Sequence, residues 1–345
     1  MFHQLMKISM NSKMAHSSYK DDFKSIFSPY ILRFLETKEA AGSNVRSFLT
    51  ALREFDNFAM REHLPSVCIK QSDIEKWRSI MTGKTPTTIY LKYCVISQFL
   101  RYMARLGIPC YIPVYPRKPK NLYVPYIFSE DELGRMFKAA DGLVFERRVF
   151  KCGIFSIPVL LRLLYSTGMR IGEACSLVNS DVDMVSRIIL IRDTKNKRDR
   201  QLPISGSLFV ILEQYLEKRC KLPLRDVNNP VRPFLVALDG SPLTGQSARR
   251  WFFKILEQCG INYIPRVGPR IHDLRHTFAV HVLDKFAREG VDMHCCLPVL
   301  SIALGHKCVS DTEYYVRITR EVYPHISDAT ATLSEYIFPT ISALE

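Results

Sequence analysis

Two mainly α-helical domains are predicted for this chain: a small all-helical one, then a mixed α/β, mostly helical one with a small antiparallel sheet. Three observations predict this. At 345 residues the chain is long enough for two hydrophobic cores. Apolar residues recur at helical spacing on both sides of a central stretch, with one strand-like alternation at 187–204. That central stretch carries Pro109, Pro113, Pro116, Pro119 and Pro125, a density that blocks helix and sheet ladder alike.

Residues 1–22 are polar, rich in Met and Ser and unpatterned, and are expected to form a flexible leader. The helical domain follows at 23–108. Ser28 is placed to cap its first helix, with Pro29 at the first helical position. Val45, Phe48, Leu49, Leu52, Phe55 and Ala59 make one apolar stripe, and Ser72 with Glu75 has capping-box spacing ahead of Trp77. Thr85-Pro86 opens a helix carrying Ile89, Ile96, Phe99, Leu100 and Met103, which Gly107 ends. Lys84, Lys92 and Arg101 fall on polar faces, where phosphate contact and plain solvation explain them equally. Residues 109–127 read as an extended, semi-rigid linker whose Arg117, Lys118 and Lys120 suit it to lie along a phosphate backbone.

The second domain, 128–345, starts at the capping box Ser129–Glu132. A helix over about 155–165 ends at Gly168. After a short helix, 187–192 alternates as a strand and 200–204 pairs back with it, leaving the lysine-rich turn 194–199 as a hairpin tip. Helices follow near 206–219, 245–258, 272–288, 297–304 and 310–317, the last capped by Ser310, with another around 326–336.

Hydrophobic residues at 47% and charged residues at 24% are ordinary for a soluble globular protein. The balance of charge is not. Forty-eight Lys+Arg against 34 Asp+Glu give +14, which favours a polyanionic partner, most often nucleic acid. The basic clusters are dispersed through folded-looking sequence, so they predict a surface rather than a tail. Ten cysteines include no C-x-x-C pair. No apolar run reaches signal-peptide length, or the roughly 20 residues of a membrane span. A cytosolic protein with reduced thiols is expected.

The residues with chemical potential lie in the second domain. Arg170 carries a guanidinium that matches two phosphate oxygens, and Glu173, one helical turn on, can orient it; alone, the pair is also an ordinary helix-start ion pair. Lys195, Lys197 and Arg198 crowd the hairpin tip, where solvation, nonspecific phosphate contact and proton donation are all open. His272 and Arg275 share a helical face. His272 with His276 also has zinc-pair spacing, but neither the expected glutamate nor a third ligand accompanies it. Tyr314 and Tyr315 point about 100° apart, so only one can serve as a nucleophile, and with an ordinary pKa near 10 it needs cations or a base nearby.

Together these residues resemble the tyrosine recombinase (phage integrase) family. The family's set stands here as Thr167-Gly168-Met169-Arg170-Ile171-Gly172-Glu173, then Lys195 eight residues before Pro203. His272-Asp273-Leu274-Arg275-His276 and Leu304-Gly305-His306 follow, and the family's tyrosine, nine residues after that histidine, selects Tyr315 over Tyr314. The resemblance implies that residues 23–108 are a core-binding domain and 128–345 the catalytic domain. Tyr315 would attack a DNA phosphodiester to form a 3′-phosphotyrosine. Arg170 and Arg275 would clamp the phosphate oxygens, Lys195 act as general acid, His272 as base, His306 as a further donor and Glu173 as support.

No cofactor, neither metal nor ATP, is implied. The implied partners are double-stranded DNA carrying specific sites, accessory recombination proteins, and further copies of the chain, four protomers pairing two sites. Segment 318–345 would then dock on a neighbouring protomer or in cis. The expected role is site-specific recombination in the cytoplasm, at the nucleoid, integrating or excising a mobile element. Segment 289–297 is similar to transposon-borne members. A relaxing enzyme of topoisomerase IB type, with the same chemistry on one duplex, is the alternative; a non-catalytic DNA-binding protein would not need the intact set.

Overall fold

The computed structural model describes residues 19–119, 123–144, 153–192, 199–264 and 267–323. The chain divides into two compact units, Met1–Leu122 and Tyr123–Glu345. No described helix is long and apolar enough to cross a membrane, and the described cysteines are free thiols.

In the first unit, α1 (Ser28–Ala40), α2 (Arg46–Arg61), α3 (Gln71–Ser79) and α4 (Pro86–Arg105) pack around aromatic side chains. Phe55 is fully buried, its ring edge-on to Phe27 at 5.5 Å, Trp77 at 6.0 Å and Phe99 at 6.3 Å. Such pairs add about 0.5–1.5 kcal/mol each beyond the area they bury. Helix α4 opens as its sequence predicts, with Thr85 Oγ1 accepting from Thr88 N at 3.3 Å, and Gly107 follows its last turn at φ 82°.

Two expected caps differ. Ser28 is already helical, its hydroxyl donating to Phe23 O at 3.0 Å, while Ser25 Oγ accepts from Phe27 N at 3.1 Å. Helix α3 starts at Gln71, and Asp73 accepts from Lys70 N at 2.9 Å, because Ser72 lies inside the first turn. The start of the proline stretch is bound within this unit: Cys110 bridges Ile69, and Tyr111 N donates to Ile69 O at 2.8 Å.

The second unit begins with α5 (Glu130–Asp141), whose capping box joins Glu132 N to Ser129 Oγ at 3.2 Å and Ser129 N to Glu132 Oε2 at 2.9 Å. Helices α6 (Ile157–Thr167) and α7 (Ile171–Ser176) come next, then β1 (Val182–Asp183), β2 (Ile188–Ile191) and β3 (Arg200–Pro203). The order continues with α8 (Gly206–Cys220), α9 (Gly245–Gln258), α10 (Asp273–Arg288), α11 (Met293–Leu304) and α12 (Ser310–Val322). Leu160 and Leu163 of α6 are fully buried with Leu212 of α8, Phe252 and Ile255 of α9 and Leu274 of α10. Each such side chain contributes about 1.5–3 kcal/mol by leaving water. A second cluster joins α10, α11 and α12 through Val280, Leu283, Leu300, Leu304 and Val316.

The sheet is antiparallel in the order β1-β2-β3, with Ile189 opposite Leu202 and Ile191 opposite Arg200. Strand β1, at two residues, is too short to leave a period-2 signal in the sequence. The tip of the hairpin and the helix expected at 326–336 lie outside the described residues. Helix α11 starts four residues earlier than expected, because Asp292 caps it by accepting from His294 N at 2.8 Å and Pro298 sits inside it. Pro298 is the sixth of the twelve residues of α11, where its missing N–H removes one internal bond, yet the helix continues to Leu304. Helix α12 has Val309 rather than Ser310 at its cap and runs on to Val322.

Helix α6 ends at Gly168 with φ 62°, where an added Cβ would lie 2.4 Å from the Phe278 ring. Gly168→Ala is expected to cost about 2–4 kcal/mol through left-handed strain and overpacking. Gly134→Ala, in α5 with open space around the new methyl, is expected to gain up to about 1 kcal/mol. Urea unfolding midpoints of the two variants check the contrast.

Candidate active site

Helix C-termini carry carbonyl oxygens with no partner inside the helix, and the helix dipole makes that end attractive to cations. In the second unit two such ends, those of α6 and α11, each close on a left-handed glycine, Gly168 at φ 62° and Gly305 at φ 65°. Arginines fill them. Arg275 donates from Nη1 to Gly168 O and from Nη2 to Leu304 O, both at 2.7 Å, and so ties the two helix ends together. Arg170 Nη2 reaches Gly305 O at 3.3 Å, and Arg200 Nε reaches Ala303 O at 2.8 Å. A side chain on residue 305 would meet Arg200 Nη1 at 2.8 Å, so glycine is required there by space as well as by backbone.

One carboxylate answers this charge. Glu173 Oε1 accepts from Arg170 Nη1 at 2.9 Å and from Arg200 Nη1 at 3.2 Å. Its Oε2 accepts from Arg170 N at 2.8 Å and from Arg200 Nη2 at 2.7 Å. Burial works to raise the Glu173 pKa, but the bonds to Arg200 and Arg170 outweigh it and hold the carboxyl at about 2. Arg275 is brought down to about 10 by burial and then by the charge of Arg170, and stays cationic at neutral pH. Three guanidinium groups against one carboxylate leave an unbalanced positive site. Arg170 is the one with an accessible side chain, 28% exposed against 6% for Arg200. A cleft of about 670 Å³ opens beside it, lined also by His272, Asp181 and Arg192.

The histidines sit within this field. His272 stands at the start of α10, and burial followed by the charges of Arg275 and Arg170 pushes it to about 4. The same causes bring His306 to about 4, while its Nδ1 hydrogen-bonds Thr312 Oγ1 at 2.8 Å. The His306 ring lies parallel to the Tyr315 ring, 6.2 Å between centroids. Tyr315, on α12, is 3% exposed. Burial raises its pKa, opposed by the charge and hydrogen bond of Arg275 and the charge of Arg170. Tyr314 faces elsewhere: its hydroxyl donates to Tyr123 O at 3.4 Å and Arg317 lies over its ring.

The structure therefore brings Arg170, Glu173, His272, Arg275, His306 and Tyr315 together. Lys195, Lys197, Arg198 and Lys120 lie outside the described residues. In the first unit Lys84, Arg117 and Lys118 are exposed, and Arg101 lies over the Tyr115 ring at 5.1 Å. Lys92 is a correction. It is buried and ion-paired with Glu54, so it is neither solvated nor free for phosphate. His272 and His276 meet edge-on at 5.0 Å, and among the described residues no group of three His, Cys, Asp or Glu side chains is placed to hold a metal.

Two residues in the site were given no role there by the sequence. Arg200 occupies an inward strand position, in register with Ile191, and a charge at such a position is the signal that marks it. His276 hydrogen-bonds the Tyr315 hydroxyl through Nδ1 at 2.9 Å; its signal was the i, i+4 spacing from His272.

The phage integrase family model matches residues 127–321, more than half of the chain. The tyrosine recombinase XerC of Thermodesulfovibrio yellowstonii is 26% identical over 318 residues, 89% of this chain and 97% of that protein. Among solved structures, XerH site-specific recombinase bound to palindromic difH substrate, a post-cleavage complex, has a TM-score of 0.59 at 19% identity. It covers 79% of this chain and 75% of that one. A lambda integrase tetramer bound to a Holliday junction has a TM-score of 0.56 at 17% identity, over 84% and 79% of the two chains. These two structures speak for the fold.

Replacing Arg200 with Leu is expected to cost about 3 kcal/mol, because Glu173 loses a bidentate partner while remaining buried; a drop in the urea midpoint measures it. The pH response follows from the histidines. His272, His276 and His306 all titrate below the ordinary 6.5 when folded, at about 4, 3 and 4. The unfolded chain then binds more protons in that window, so stability is full above 6.5 and is lost as pH falls. The melting temperature is expected to drop between about pH 6.5 and 5, above the usual carboxylate range; a flat response there would contradict neutral histidines.

Proposed function

The chain belongs to the phage integrase family, and from that premise we propose that it breaks and rejoins double-stranded DNA at specific sites through a covalent link to Tyr315. The observation that carries this is the buried Tyr315 hydroxyl under the charge of Arg275 and Arg170. A phenol is a poor nucleophile at neutral pH, and fixed cations are what lower the cost of its losing a proton.

In the proposed reaction the Tyr315 oxygen bonds to the phosphorus and the bond to the 5′-oxygen breaks. Arg170 and Arg275 face the two non-bridging oxygens, where negative charge accumulates; donors aimed in this way usually do more to lower such a barrier than any other single effect. Glu173 and Arg200 keep Arg170 oriented. His306 donates a further hydrogen bond and His272 assists the leaving of the tyrosine proton. Lys195, between β2 and β3 in the sequence, protonates the departing 5′-oxygen. The phosphotyrosine conserves the energy of the broken bond, so a 5′-hydroxyl of another strand can attack it and release Tyr315 without an external energy source.

The further assembly is proposed by likeness. Four protomers would pair two sites; the lambda integrase of similar fold is a tetramer bound to a Holliday junction. Exposed Lys84, Arg117 and Lys118, with Arg101, would contact the backbone in a sequence-independent way. The setting would be cytoplasmic DNA, and the outcome the integration or excision of a mobile element.

The test uses randomly nicked genomic DNA of the source organism, in which a nick next to the chain's own site would trap the intermediate. Detergent-resistant protein–DNA adducts are expected from the native chain and from Tyr314→Phe, and none from Tyr315→Phe. Adducts from Tyr315→Phe would refute the assignment. The recovered duplex, labelled and mixed with a second one, is expected to yield exchanged strands.

A further inference from the structure

Helix α10 carries two histidines that the proposed chemistry does not use, His276 and His281, and His276 is the one in contact with the nucleophile. His276 Nδ1 lies 2.9 Å from the Tyr315 hydroxyl, and the two rings are 5.6 Å apart. We infer that His276 is a residue of the reaction itself: it holds the Tyr315 hydroxyl proton on Nδ1 and so orients the oxygen for attack. The inference rests on the recombinase reading above and adds a residue to it.

A phenol oxygen has one proton to give and two lone pairs. Arg275, whose guanidinium acts to lower the pKa of this oxygen, has only donors, so it can meet a lone pair but cannot accept the proton. His276 Nδ1 is the acceptor placed to take it. With proton and one lone pair each fixed, the second lone pair has a defined direction, which is what a nucleophile approaching phosphorus requires.

The surroundings keep His276 neutral, so one of its ring nitrogens can accept. Its ring is braced edge-on by His272 at 5.0 Å. Burial, then the neighbouring His272, Arg275 and His306, push its pKa down to about 3, so it is neutral at neutral pH. Neutral, with Nδ1 accepting, its ring proton sits on Nε2. Such a weak base does not retain the proton as a free imidazolium. It positions the hydroxyl until the proton moves on. One turn of α10 then supplies His272, the phosphate clamp Arg275 and the holder of the nucleophile, His276.

The test uses the full chain and the nicked duplex recovered from the adducts described above, in single turnover. His276→Leu, similar in size but unable to accept, is expected to form adducts about 10–100-fold more slowly, with the dissociation constant for the duplex unchanged. His276→Asn, whose amide oxygen can stand near the Nδ1 position, is expected to regain most of that loss. A scaffold defect would lower DNA affinity and melting temperature together with rate, and would not discriminate Asn from Leu. The inference is overturned if Leu cleaves at the native rate or faster, if affinity falls in parallel, or if Asn is no better than Leu. Native chain that forms no adduct at all would instead overturn the recombinase reading, and this inference with it.

Discussion

Three buried or half-buried guanidinium groups held around one carboxylate are the constraint on which the second unit's site depends. At an effective dielectric of about 20, unit charges 4–6 Å apart repel by about 3–4 kcal/mol. Arg170, Arg200 and Arg275 can converge only if something fixed opposes that repulsion. Glu173 opposes part of it with four hydrogen bonds. The rest falls to backbone carbonyls at the ends of α6 and α11, which carry partial negative charge and never lose it. The remaining excess of positive charge is what an entering phosphate would neutralise.

Much else follows from that arrangement. The carbonyls are available because both helices stop on left-handed glycines, and Gly168 and Gly305 are crowded by Phe278 and Arg200, so neither end can shift far. The histidines stay neutral and Tyr315 stays protonated, the first from burial with positive neighbours, the second from burial that outweighs Arg275. An arriving phosphodiester would offset part of that positive field, which would ease protonation of the histidines but would not by itself ease loss of the Tyr315 proton.

The first unit shows how the same residue types serve a different end. Its Lys92 is buried and ion-paired with the partly exposed Glu54, while Lys84, Arg117 and Lys118 stand at the surface. Net charge measures a tendency towards polyanions; which cations deliver it depends on where each side chain ends.

The sequence by itself determined the features governed by local geometry. The periods of 3.6 and 2 marked the helices and the hairpin strands, and capping chemistry fixed the starts of α4 and α5. Gly168 ended α6 because only a left-handed residue fits there. The order and spacing of Arg170, His272, Arg275, His306 and Tyr315 marked the family. Contacts between distant segments were decided by the tertiary structure alone. Only packing showed that Arg200 turns inward to Glu173, that Lys92 is enclosed, and that Tyr315 meets His276 while Tyr314 meets Tyr123. The physical reason is one of range: dihedral preferences and caps act over a few residues, whereas the partner of a buried charge or hydroxyl is set by which helix ends converge.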